Sequence, residues 1–189
     1  MDFTQLLTFQ VGDFEIVVSN DVTQTANSAD KSYSYDKEYL FGEHVSSKHE
    51  VTTSFFGKKV SSCVLMGSGG LSIVHENSAL IYGNSCVVAV GNHLCSLALP
   101  SLELEWQTQV DEATCFGVYR RPEHNSFISH GELTITCVSS DGEVIWQTGG
   151  KEIFTSDFLV TANYVEAVDF NGERYRINIE TGVPEVIND

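Results

Sequence analysis

Residues 86–147, CVVAVGNHLCSLALPSLELEWQTQVDEATCFGVYRRPEHNSFISHGELTITCVSSDGEVIWQ, hold one pattern twice: a strand-like run, a tight turn, and a second run that ends on Trp-Gln. In the second copy Leu133 to Ser139 alternates and is rich in β-branched residues, Asp141-Gly142 follows, and Glu143 to Gln147 resumes the alternation. Asp-Gly between two such runs predicts a hairpin closed by a type I′ turn, whose two central residues both take positive φ. In the first copy His93 to Leu99 and Leu102 to Gln107 flank Pro100-Ser101, and Trp106 and Trp146 stand 40 residues apart. Tyr164 to Phe170, Asn171-Gly172 and Glu173 to Ile179 read as a third hairpin of this kind, with Tyr175 and Ile177 in place of Trp. Its Gly172 lies 30 residues beyond Gly142, so the spacing is uneven. A repeat of roughly 40 residues with several short strands per unit points to propeller blades or a related stack of small sheets.

Outward from this core, Cys115 to Tyr119, Ser126 to Ser129, Leu133 to Ser139 and Glu143 to Gln147 are expected to form one four-stranded blade. Thr4 to Val11 and Phe14 to Ser19 read as strands joined at Gly12-Asp13, and Glu50 to Phe56 pairs with Val60 to Met66. Leu71 to His75, Ala79 to Tyr82 and Val87 to Val90 supply further short strands. Residues 20–38 are polar and nearly free of aliphatic side chains, the composition of a long loop. Tyr33, Tyr35 and Tyr39 alternate at its end, either leading into a strand or forming an aromatic contact surface. Between residues 61 and 110 the only charged groups among Asp, Glu, Lys and Arg are Glu76, Glu103 and Glu105, so this stretch should be the most buried. No window shows a 3.6-residue apolar period. The expectation is an all-β, propeller-like stack of small antiparallel sheets in one domain, 1–189, with the repeats in 61–182. About three to four units are too few for an ordinary closed ring, so the stack is expected to be open or incomplete, the N-terminal strands completing its last unit.

The 189 residues carry 26 acidic and 10 basic side chains, a net charge of −16. That field repels nucleic acid and anionic membranes, and Lys58-Lys59 and Arg120-Arg121 make no basic patch against it. Cys63, Cys86, Cys95, Cys115 and Cys137 sit inside apolar runs, an odd number without C-x-x-C spacing. They read as buried thiols rather than a disulfide frame or zinc ribbon. MDFTQLLTFQVGDFEIVV has neither the basic start of a signal peptide nor the uninterrupted apolar length of a membrane span. A cytoplasmic location is the default expectation.

LALPSLELEWQTQ and CVSSDGEVIWQTG resemble the repeats of pyrroloquinoline-quinone-type propellers, whose blades carry a similar run of strand, Asp or Gly turn and Trp. The resemblance implies that Trp106 and Trp146 plug the space between neighbouring sheets. LSIVHENSALI, VDEATCFGVY, FISHGELTI and DFNGERYRINIETG also look like stretches of small bacterial proteins without assigned activity. The cofactor residues of the quinone enzymes have no counterpart here, so no cofactor is expected.

Each candidate site has a structural counterpart reading. His75-Glu76-Asn77-Ser78 and His130-Gly131-Glu132 are polar clusters in apolar surroundings. On an extended strand His130 and Glu132 face one way about 7 Å apart, near enough to share a ligand or a hydrogen-bond network. His124 is about 20 Å from His130 if the link is extended, too far for one metal. Zinc would therefore require the fold to bring His75 beside His130, and the competing reading has these groups bonding backbone amides. Cys115 lacks the base a thiolate needs. Gly67-Ser68-Gly69-Gly70 reads as a bend, because no helix follows to complete a phosphate cradle.

The functional expectation is a bacterial cytoplasmic interaction module that binds a protein partner through the loops near His75, Arg120 to His130 and Tyr33 to Tyr39. Two alternatives stand beside it: an acidic inhibitor of a basic partner, of the immunity or antitoxin kind, and a small metal-dependent or hydrolytic enzyme using His75, His130 and Glu132.

Overall fold

The computed structural model describes residues 6–21, 34–121 and 124–187, and Tyr33 lies outside them. Sheet 1 contains β1 (Leu6–Val11), β2 (Phe14–Asn20), β3 (Lys37–Phe41), β4 (Ser47–Phe55) and β5 (Lys58–Gly67). Its order is β1-β2-β4-β5-β3, with β3 parallel to β5 and every other pair antiparallel. Sheet 2 contains β6 (Ala79–Tyr82), β7 (Ser85–Val90), β8 (His93–Ala98) and β9 (Glu103–Gln109). Sheet 3 contains β10 (Cys115–Arg120), β11 (Ser126–Gly131), β12 (Thr134–Ser139) and β13 (Val144–Gly149). Sheet 4 contains β14 (Phe154–Val160), β15 (Tyr164–Asp169), β16 (Arg174–Asn178) and β17 (Pro184–Ile187). Sheets 2 to 4 are four-stranded antiparallel meanders in chain order. The described residues contain no helix, and hence none long and apolar enough to cross a membrane.

The apolar residues of these strands meet in the seams between successive sheets. Ile16, Val18, Val51, Cys63 and Leu65 pack against Cys86, Val88, Cys95 and Leu97 between sheets 1 and 2. Val87, Ala89 and Leu94 meet Val118, Phe127 and Val138 between sheets 2 and 3. Ile128, Ile135, Cys137 and Trp146 meet Val165, Ala167, Tyr175 and Ile177 between sheets 3 and 4. Each middle sheet is thus buried on both faces, which explains why β7, β8 and β11 read as nearly continuous apolar or small-residue runs.

Trp106 and Trp146 lock two of the seams. The Trp106 ring lies on the β12–β13 turn, where a Cβ added to Gly142 would sit 2.8 Å from ring atoms, and its Nε1–H donates to Ser140 O at 2.8 Å. Trp146 repeats this on the β16–β17 turn, with an added Gly182 Cβ at 2.7 Å from its ring and a 3.0 Å bond to Ile179 O. Thr108 and Thr148 donate to the carbonyls of the same two glycines. The partner of Gly142 is therefore Gly182, 40 residues on, and the repeat is regular. This corrects the uneven spacing: the Asn171-Gly172 hairpin joins β15 to β16, and the counterpart of the Trp-bearing strand is β17.

Three further expectations change. Only Gly142 of the Asp141-Gly142 pair has positive φ, +87°, so the turn is not type I′. Ser139 N–H instead donates to Glu143 O, and Ser139 Oγ accepts from the Asp141 and Glu143 amides, which favours a three-residue loop with glycine in its last place. Asp169 does the same for the 169–173 turn, where Gly172 has φ +83°. The N-terminal strands complete the first sheet rather than the last. Residues 71–75 form no strand.

The outer faces of the end sheets differ from the seams. On sheet 4 the positions opposite and beside one another that hold Ile128, Cys137 and Trp146 in sheet 3 hold Glu166, Arg176 and Glu185. On sheet 1 the outer face carries Thr8, Gln10, Glu15, Thr52 and Ser54 among a few aliphatic residues. Polar outer faces are what end units of a stacked array need in water.

Candidate functional site

The first strands of sheets 2, 3 and 4, β6, β10 and β14, border a cleft of about 410 Å³ lined by Leu80, Val118, Tyr119 and Phe158 together with Glu76 and Arg120. The predicted histidines lie behind this wall. His75 Nε2–H donates to Phe116 O at 2.5 Å, while its Nδ1 accepts from Asn77 N–H at 3.3 Å, so both ring nitrogens are engaged by backbone. His130, 8% exposed, lies flat on Phe158 with ring centroids 4.2 Å apart and meets the Phe116 ring edge-on at 5.4 Å. Burial, helped by nearby His75, pulls the His130 pKa down to about 4, so the ring is neutral and serves as an aromatic spacer between sheets 3 and 4.

The structure brings His75 and His130 into one neighbourhood through Phe116, but not onto a common ligand. β11 ends at Gly131, so the extended-strand geometry expected for His130 and Glu132 stops one residue short. Glu132 is partly exposed in the turn, where its N–H donates to Thr114 O and its C=O accepts from Phe154 N–H. Glu76 is exposed at the cleft edge. His124 is far from this cluster in role: it is exposed and faces Glu180 at 3.4 Å. Among the described residues no group of three His, Cys, Asp or Glu side chains is arranged to hold a metal ion.

The other motifs are structural. All five thiols are buried and free. Burial pushes Cys63, Cys86 and Cys115 up to about 12, far from a thiolate at neutral pH. An added Cβ at Gly67 would lie 2.5 Å from Val90 O, and one at Gly69 2.1 Å from Ala113 O, so this bend is where sheet 1 crosses closely to its neighbours. Sequence reading passed over two buried polar hubs. Asp111 accepts from the amides of Ala113, Leu133 and Thr134 and from Thr134 Oγ1, tying the sheet 2–3 link to the β11–β12 turn. His49, buried and held near pKa 4 by desolvation, contacts Ser72 Oγ at 3.1 Å. The signal for Asp111 was available: an acid at the close of an apolar strand, next to a turn whose amides need acceptors.

No protein-family model and no curated protein matches the chain. Among solved structures it is similar to the computationally designed Ika8 protein, with a TM-score of 0.57 and 12% identity over 96% of this chain and 47% of that one. The chain thus spans about half the length of Ika8, and the likeness shows the fold alone. Weaker likenesses, each with a TM-score of 0.49, are to the designed Ika4 protein (14% identity; 61% of this chain, 74% of that one) and the WD40 β-propeller domain of Doa1 (13%; 74% and 46%).

Proposed function

We propose that this chain is a non-enzymatic interaction module whose partner is a protein presenting basic surface. The observation that carries this reading is the charge of its concavities. Four of them carry carboxylates: Glu76, beside Arg120, in the cleft of β6, β10 and β14; Glu105 and Asp141 between sheets 2 and 3; Glu185, beside Arg176, on sheet 4; and Asp13 with Glu15 at the first hairpin, the second and fourth having no Lys or Arg in their lining. Arg176, on the sheet 4 concavity, is engaged by Glu166 at 2.8 Å. Among the groups suited to chemistry, the five thiols are buried and His130 is a neutral ring stacked on Phe158, which favours recognition over catalysis. The repeats are read as quinoprotein-like in form, supported by the two Trp-on-glycine locks, with no cofactor carried over.

Titration with octaarginine and octaglutamate peptides, followed by amide NMR shifts at low and high salt, tests the reading. Binding of the basic peptide alone, weakening steeply with salt, is expected. Failure of the basic peptide to bind at low salt would remove the basic partner, and turnover of an ester or phosphoester panel that disappears in a folded His130→Ala variant would replace binding with catalysis.

A further inference from the structure

Sheets 2 and 3 enclose a groove of about 470 Å³ at their outer ends, lined by Tyr82, Trp106 and Phe127 with Glu105, Asp141 and Ser96. The Tyr82 and Phe127 rings meet edge-on at 5.2 Å and Trp106 is tilted against Phe127 at 6.2 Å, so three aromatic rings form one wall. Glu105 sits at the bulge where the β8–β9 register shifts, which lets it line the groove beside Trp106 and accept from Ser96 Oγ at 2.7 Å.

The next seam shows what such a place holds. Ser96 is the cross-strand partner of Trp106 as Cys137 is of Trp146, and Tyr82 pairs with Ser85 where the Arg121 N–H bonds Ser126 O. Arg121 therefore occupies, between sheets 3 and 4, the backbone position that Tyr82 occupies between sheets 2 and 3. Arg121 is 4% exposed, and its guanidinium lies against the Cys137 thiol and is paired with Glu180, a carboxylate on the turn that Trp146 covers. Asp141 is the acid on the turn that Trp106 covers. The Arg121 bond holds the Glu180 carboxyl below the usual carboxylate range. Thus one seam contains a carboxylate and the chain's own arginine. The other contains two carboxylates, Glu105 and Asp141, and a tyrosine at the arginine's position. Arg120 lies 5.5 Å over the Tyr82 ring but lines the cleft of β6, β10 and β14, not this groove.

We propose that the groove between sheets 2 and 3 receives an arginine side chain of a basic partner protein, the guanidinium pairing with Glu105 and Asp141 against the aromatic wall. The planar guanidinium suits both halves of the groove, since it bonds carboxylates through a rigid fork and stacks on aromatic faces better than an ammonium does. The inference rests on the basic-partner reading and names its site.

The indole N–H signals of Trp106 and Trp146, distinguished in a Trp146→Phe spectrum, report the two seams separately. Octaarginine should shift the Trp106 signal and leave Trp146 in place, with octalysine binding about tenfold more weakly. Glu105→Gln with Asp141→Asn should weaken the Trp106 response about tenfold or more, whereas Glu76→Gln should not. Tyr82→Arg, which supplies the missing guanidinium from within, should abolish the response in a protein whose amide spectrum stays folded. Peptide binding that leaves Trp106 unmoved, or that is indifferent to both Tyr82→Arg and the paired carboxylate change, overturns the site and leaves the basic-partner reading intact. Absence of any binding at low salt overturns both.

Discussion

Across the seam between sheets 3 and 4, Trp146 lies on the Gly182 turn and gives its N–H to Ile179. Across the seam between sheets 1 and 2 the corresponding turn holds Leu102 at φ +60°, fully buried, and no tryptophan. Tyr39 of β3 takes over there, donating to Leu102 O at 2.9 Å and accepting from Leu104 N–H at 3.2 Å, while Lys37 bonds Ser101 O at 2.8 Å. Both seams place one aromatic hydrogen-bonding group on the outer turn of the next sheet. They differ in how the chain delivers it: from the last strand of a meander in one, from a parallel strand earlier in the chain in the other. The requirement therefore belongs to the seam, not to a residue type.

Trp146→Ala tests that requirement most severely. It removes a buried ring that nothing else can replace, and unfolding in denaturant should show a loss of about 3–5 kcal/mol. A loss below about 1 kcal/mol would mean the lock contributes shape without stability.

The next effect is pH-dependent and concerns the histidines that fill the same two seams, His49 between sheets 1 and 2 and His130 between sheets 3 and 4. Each is held near pKa 4 when folded, against 6.5 as the ordinary value. The unfolded chain takes up these protons first as pH falls, so their contribution is whole above 6.5 and is lost between 6.5 and about 4. The loss is on the order of 3 kcal/mol per ring. His130→Phe keeps the stack on Phe158 and should flatten stability against pH across that window by the share of one histidine. A profile unchanged by the substitution would show that His130 titrates alike in the folded and unfolded chain.

Gly182→Ala asks whether the turn, rather than the ring, is the constrained partner. Its φ of +71° and the 2.7 Å approach to the Trp146 ring together predict a cost of about 2–3 kcal/mol. Gly172→Ala, with φ +83° but open space around it, should cost only about 1 kcal/mol, so equal losses would assign the effect to backbone strain alone. The smallest effect sharpens the other side of the comparison. Tyr39→Phe leaves the ring and removes both hydrogen bonds, for about 1–2 kcal/mol. No change in the unfolding midpoint would reduce Tyr39 to a packing role.

The strands and their hairpins were legible because each is a local event. Alternation in Leu133 to Ser139 and glycine after a short polar residue act over a few positions, and every expected strand of sheet 3 is present. The turn type was misread because Ser139 and Asp169 look ordinary in sequence, yet their side chains capture two amides each and lengthen the loop. Of the candidate site, the polar character of His75 and His130 was visible, but not that Phe116 and Phe158 would surround one ring while backbone engaged the other. The roles of Asp111, Arg121 and Tyr39 were not legible because their partners lie 22, 59 and 63 residues away.

Sequence alone was enough for an all-β chain of small antiparallel sheets, the 40-residue spacing of Trp106 and Trp146, and the burial of its thiols, because periodicity and turn chemistry are properties of neighbouring residues. Only the tertiary structure paired Gly142 with Gly182, sent the N-terminal strands to the first sheet, and left Tyr82 where the next seam carries Arg121. Those outcomes depend on which faces meet, and a face is assembled from strands that the linear order keeps apart.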